Sequence, residues 1–334
     1  MIEIKDLVKR YGSHTAVDHL NLTIEPGKIY GFLGPNGAGK STTMNILTGY
    51  LGATEGEILI NGHNLLEEPE EAKKCIGYLP ELPPLYVDMT VREYLSFVSE
   101  LKGFPAQNRK FLIEEAEKET GLTDVSRRLI RNLSKGYRQR VGLAQAIMGS
   151  PEIIILDEPT VGLDPKQIIE IRDLIRKLGE QHTVILSSHI LSEIAEVCDR
   201  IFIISHGRLV AEDTTENLLA QMSSGSGKLL RLLVKGDRGL LEALLSQQDY
   251  IDKFTFSDAA GENIWPLEIT VSGDSDPRES LFWLLAGNHL AILEMTAEKR
   301  SLEDVFLELT SDQNVFVDEA ASGTNVHGKG EEIK

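Results

Sequence analysis

Up to about residue 222, short apolar runs alternate with longer amphipathic stretches, which predicts strands and helices in turn. KIYGFL (28–33), PEIIILDEPT (151–160), TVILSSH (183–189) and RIFIIS (200–205) are apolar enough to be strands buried on both faces. GEILING (56–62) is a strand ending in an Asn61-Gly62 turn. KSTTMNILTGY, TVREYLSFVSELKG, PAQNRKFLIEEAEKETG and ILSEIAEVCD are helical. PKQIIEIRDLIRKLG starts with Pro165 in its first turn and stops at Gly179. The alternation predicts an α/β domain over 1–222 with a largely parallel central sheet and a helical subdomain at about 85–150.

At 223–228, SSGSGK, the composition changes to that of a flexible linker. Residues 229–312 then read as strand, helix, strand, strand, helix, strand. That order predicts a small α+β domain of ferredoxin-like type. A last helix, SLEDVFLELT (301–310), opens on Ser301 with Asp304 three residues on. The polar stretch 313–334 predicts a disordered tail.

Composition narrows the function. No stretch reaches the roughly 18 to 20 apolar residues that a membrane helix needs, and the N-terminus has no apolar signal core, so an intracellular protein is expected. A formal net charge of −18 opposes nucleic acid, which is not expected as a partner. Cys75 and Cys198 have neither metal nor redox spacing and read as reduced thiols.

The chemistry is concentrated in two segments. Residues 34–42, Gly34, Pro35, Asn36, Gly37, Ala38, Gly39, Lys40, Ser41 and Thr42, satisfy G-x-x-x-x-G-K-[ST] between a strand and a helix. Backbone N–H groups of such a loop curl around phosphates, backed by the positive end of the helix. Lys40 reaches the terminal phosphates, and the Ser41 hydroxyl suits Mg²⁺. IIILDEP (153–159) sets Asp157 and Glu158 at a strand's C-terminal end, where ligands sit in open α/β sheets. Asp157 can hold Mg²⁺ through water, and Glu158 can orient or deprotonate an attacking water. A nucleoside triphosphate is the implied ligand.

Between them, LSKGYRQR (133–140) opens like a second phosphate-reading helix, with Ser134 at the cap and Gly136 behind it. This stretch resembles the signature of ABC transporter ATP-binding subunits, and the resemblance covers residues 1 to about 222. It implies a phosphate-loop ATPase fold of the ABC type, with ATP and Mg²⁺ as cofactors. It also implies roles for further residues: Tyr11 stacks on adenine, Val17 lies beside the ribose, Asp164 belongs to the D-loop (VGLD, 161–164), and His189 touches the γ-phosphate. The other histidines, His14 and His19 among them, read as surface residues. In that family each ATP lies between one chain's phosphate loop and the partner's signature, so Ser134 and Gly136 would act on a second copy. One set of motifs in this chain implies a homodimer.

Three positions depart from the common family pattern. Glu81, in YLPELPPLY (78–86), stands where the family has a glutamine, as a candidate Mg²⁺ ligand. Lys135 and Tyr137 replace a glycine and a glutamine of the signature. The resemblance further implies an integral-membrane permease docked on Glu81 and about 85–130, no direct contact with cargo, and a place on the inner face of the cell membrane. Together with LPE and SLEDVFLELT, the signature looks most like subunits of type-2 export systems. An importer subunit and a non-transport ABC ATPase remain open alternatives. Neighbouring genes would discriminate: a permease alone for export, a permease with a secreted binding protein for import, neither for soluble work.

Overall fold

The computed structural model describes residues 1–214, 216–217, 228–271 and 277–298. They fall into two compact units, one within Met1–Thr215 and one within Glu216–Leu307. Residues 223–227 of the linker expected at 223–228, the helix at 301–310 and the tail at 313–334 lie outside the described residues, while Lys228 already belongs to a strand.

The first unit contains β1 (Ile2–Tyr11), β2 (His14–Ile24), β3 (Ile29–Leu33), α1 (Lys40–Leu47), β4 (Glu55–Ile60), β5 (His63–Asn64), α2 (Pro69–Lys74) and β6 (Ile76–Leu79). It continues with α3 (Val91–Leu101), α4 (Ala106–Glu119), α5 (Lys135–Ile147), β7 (Ile153–Asp157) and α6 (Pro165–Gly179). β8 (Thr183–Ser188), α7 (Leu191–Val197), β9 (Arg200–Ser205) and β10 (Arg208–Asp213) complete it. Six strands form a sheet in the order β10-β9-β3-β8-β7-β6, parallel except at the β10 edge. The continuous apolar runs are its middle: every residue of β3, β7 and β8 is buried.

A second sheet, β2-β1-β4-β5, is antiparallel and lies outside the sequence expectation. Its inward residues Ile2, Ile4, Leu7 and Leu20 share one core with Met44 and Leu47 of α1 and with Phe32, Ile155 and Phe202 of the parallel sheet. The rings of Tyr30 and Phe202 stack at 5.5 Å within it. The helix that leaves the phosphate loop is therefore wedged between two sheets, which fixes the direction of its N-terminus.

α3, α4 and α5 pack together as the helical subdomain. α3 begins with a capping box in which Thr90 Oγ1 accepts from Glu93 N and Glu93 Oε2 accepts from Thr90 N. Thr90→Ala should cost about 1 kcal/mol, seen as a lower urea midpoint at unchanged slope. An unmoved midpoint would deny the box a stabilising part. At the other end of α3, Lys102 Nζ donates to the carbonyls of Gln145 at 2.9 Å and Met148 at 3.0 Å, tying α3 to the last turn of α5.

The second unit contains β11 (Lys228–Lys235), α8 (Arg238–Leu245), β12 (Ile251–Phe256), β13 (Ile264–Val271), α9 (Arg278–Gly287) and β14 (Ala291–Glu298). Its sheet, β12-β13-β11-β14, is antiparallel throughout. The element order, strand, helix, strand, strand, helix, strand, is the one expected from the sequence. Leu241 and Leu245 of α8 and Leu281 and Leu285 of α9 close its core over Leu230, Leu232, Leu267 and Ile269.

Candidate functional site

The phosphate loop is built where β3 leaves the sheet and α1 begins. Gly39 is the N-cap of α1 at φ 103, a conformation that side chains avoid, and a Cβ there would lie 2.4 Å from the Ala16 carbonyl. The first turn of α1 has no acidic residue and no side-chain cap, so its N–H groups stay available for an anion. Lys40 is buried, and its ammonium donates to the carbonyls of Gly34 at 2.7 Å and Pro35 at 3.2 Å. Burial lowers its pKa, while the charges of Glu158 and Asp157 oppose the shift. Asn36, Gly37, Gly39, Lys40, Ser41 and Thr42 all line one cleft of about 470 Å³, a size that suits a small-molecule ligand. Ala38 is buried behind the loop and its N–H donates to Pro35 O.

Both acids stand at the end of β7, Glu158 lining the cleft and Asp157 buried beside it. Asp157 Oδ1 accepts from Ser41 Oγ at 3.2 Å and from Ser187 Oγ at 2.5 Å. Ser187, at the end of the neighbouring strand β8, also accepts from the Glu158 N–H at 2.9 Å. One hydroxyl thus fixes both acids. The sequence reading passed over it, although it stands two residues before His189. Glu158 sits at φ 48, in the left-handed region, so strain is stored where the strand ends. That turn aims its carboxylate at His189 Nδ1, which donates at 3.0 and 3.1 Å to its two oxygens, while Lys40 Nζ lies 3.9 Å away. Burial raises the Glu158 pKa, with the His189 hydrogen bond, His189 charge and Lys40 charge pulling the other way. A carboxylate held in reach of a phosphate site with a raised pKa is equipped to take a proton.

Tyr11 lies at the outer end of the same cleft, half exposed, with Lys9 Nζ 5.3 Å from its ring centroid. Val17 does not line the cleft. It is turned into the shared core, and Ala16 takes the cleft-facing position. His14, read from sequence as a surface residue, lines the cleft as well, as does Glu81.

The signature residues stand elsewhere. Ser134 is the exposed N-cap of α5 and its side chain accepts from Tyr137 N at 3.4 Å. Gly136 is buried, and a Cβ there would come within 2.6 Å of the Gln167 side-chain amide. Asp164 caps α6 by accepting from Gln167 N at 2.9 Å. Gly136 and Asp164 line a separate depression with Tyr137, Arg140 and Gln167. Gly136 and Asp164 are therefore joined to each other through Gln167 and do not line the cleft around Lys40, although Val161, the first residue of the D-loop, does.

Residues 17–161 match the family model described as ABC transporter. The bacitracin transport ATP-binding protein BcrA of Bacillus licheniformis is 35% identical over 311 residues, 92% of this chain and 97% of that protein. The chain belongs to the ABC transporter family. The daunorubicin/doxorubicin resistance ATP-binding protein DrrA of Streptomyces peucetius is 34% identical over 312 residues, 92% of each chain. Among solved structures, an ATP-binding cassette in a dimeric post-hydrolysis state with ADP and Pi matches at TM-score 0.58 and 28% identity, covering 64% of this chain and 98% of that one. As the ATP-binding subunit of an ABC transporter, this chain binds ATP and hydrolyses it.

Proposed function

We propose that two copies of this chain close head to tail on ATP and drive a separate membrane permease of an export system. The observation that carries the reading is the division of labour within one chain. The Lys40 cleft is lined by loop residues, Glu158, His189 and Tyr11, while Ser134, Gly136 and Asp164 do not line it. A second copy related by a twofold axis would bring its Ser134–Gly136 turn onto the γ-phosphate, and the axis would make both sites alike. The dimeric state described for the solved cassette supports this arrangement.

Within each site, Tyr11 would carry the base, with Ala16 beneath the sugar, and Lys40 and the N–H groups of 37 and 39–42 would hold the phosphates. Ser41 and Asp157 already share a hydrogen bond and offer hard oxygen donors that fit Mg²⁺. Among the described residues no three His, Cys, Asp or Glu gather to hold a metal by themselves. The ion would therefore complete its shell with phosphate oxygens and water, with Glu81 as the further carboxylate lining the cleft. When bound, Mg²⁺ supplies positive charge to the phosphate oxygens. Glu158 accepts the proton of the attacking water, and His189 holds that carboxylate in place. Loss of the γ-phosphate would remove the contact that joins the halves and let them separate.

Among the described residues no helix is long and apolar enough to cross a membrane. Leu82, Tyr86 and Leu101 are 77%, 55% and 70% exposed along the surface that follows Glu81. Such apolar exposure supports a docking face for a permease, with the chain on the inner side of the membrane and out of contact with cargo. The bacitracin-transport and drug-resistance relatives support export as the direction. Affinity purification of the tagged chain from mild detergent should bring down a multi-span membrane protein in near-stoichiometric amount. Recovery of the chain without one, or with ribosomes or DNA, would contradict the reading.

A further inference from the structure

We propose that His14 is a specificity residue that reads the ribose hydroxyls of the bound nucleotide; this rests on the proposed placement of the base on Tyr11. Tyr11 and His14 are directly opposed across the β1–β2 hairpin, which turns at Gly12 (φ 62) and Ser13. Opposed residues of an antiparallel pair project on one face, and here both line the nucleotide cleft. Ala16, two residues further along β2, shares that face and also lines the cleft. Its carbonyl abuts Gly39 so closely that a Cβ there would lie 2.4 Å away.

The strand therefore runs outward from the phosphate loop, Ala16 against the loop and His14 about 7 Å beyond it, with Tyr11 opposite. A nucleotide with phosphates on residues 36–42 and base on Tyr11 spans that interval with its sugar. The sugar offers hydroxyls, each able to donate and accept. An imidazole offers the matching pair, one nitrogen donating and the other accepting. The His14 side chain is exposed and makes no hydrogen bond or ion pair with any described residue, so its ring is free to serve a ligand. The phosphates have their own holders in Lys40 and the loop, which leaves the sugar as the part of the ligand without a reader.

The test is equilibrium binding of ADP, 2′-deoxy-ADP and 3′-deoxy-ADP to the full chain and its variants, with ADP chosen because it cannot be hydrolysed at the γ position. The wild type should bind ADP about two- to tenfold more tightly than at least one deoxy analogue, the range expected for one net hydrogen bond. His14→Ala should bind all three alike, at the level of the weaker analogue, and His14→Gln should recover part of the preference. Absence of a preference in the wild type, its survival in His14→Ala, or an equal loss for all three ligands would each overturn the assignment. Tyr11→Ala should weaken all three together. If it changes none, the base lies elsewhere and the reading of the cleft's outer end fails, whatever the His14 variants show.

Discussion

A Glu158→Gln variant will bind ATP as the wild type does and hydrolyse it at least about a hundredfold more slowly, the loss expected for a general base. The amide keeps the shape of the side chain but cannot take a proton. The backbone around it should hold, because the Glu158 N–H bond to Ser187 Oγ does not involve the carboxylate. The contact with His189 changes character, since Nδ1 now donates to an amide oxygen. Binding should survive because Ser41 and the loop N–H groups are untouched and Lys40, though it loses the Glu158 charge 3.9 Å away, keeps its bonds to the Gly34 and Pro35 carbonyls. Nucleotide affinity and single-turnover hydrolysis, measured on one preparation, separate the two effects. Wild-type turnover would remove Glu158 from the proton transfer, and loss of binding together with turnover would make it a structural residue.

A mixture of two inactive variants will regain activity. Lys40→Ala removes the ammonium bridging Gly34 and Pro35 and should lower hydrolysis about a hundredfold or more. Ser134→Phe fills the approach to the N-terminus of α5 and should block closure on the partner's ATP. If each site draws on two chains, a mixed dimer pairs the intact loop of one variant with the intact signature of the other. Random pairing makes half the dimers mixed, each with one good site of two, so an equimolar mixture should reach about a quarter of wild-type activity. Activity that stays at the level of the separate variants would argue for sites complete within one chain.

The parts of this site that lie contiguously in the chain were readable from it. The loop 34–42 and the acids at 157–158 carry their chemistry in adjacent residues, and apolar runs on both sides marked the strands that present them. The antiparallel sheet was not readable in the same way. β1 and β4 mix charged and apolar residues without a clean period of two, and bulges break the register of β1 against both neighbours. The short Gly12-Ser13 turn that joins β1 to β2 went unread. His14 was missed for that reason, since only the hairpin sets it opposite Tyr11. Ser187 gains its meaning from the parallel pairing of β7 with β8, which places it beside Asp157. Val17 shows the converse: a motif position can be right in the chain while strand alternation turns its side chain into the core.

Gly136 adds a further lesson. Its small size in the sequence points to phosphate approach, yet the structure also uses it to seat Gln167, which joins the signature helix to the D-loop cap at Asp164. The same residue can serve both, and the second use keeps the two elements in fixed relation.

Sedimentation of the Glu158→Gln chain, saturated first with ATP and then with ADP, bears most directly on the proposed shared grip of two polypeptides on one nucleotide. Twice the chain mass with ATP and the single-chain mass with ADP is the predicted outcome. A single-chain mass at saturating ATP would contradict it.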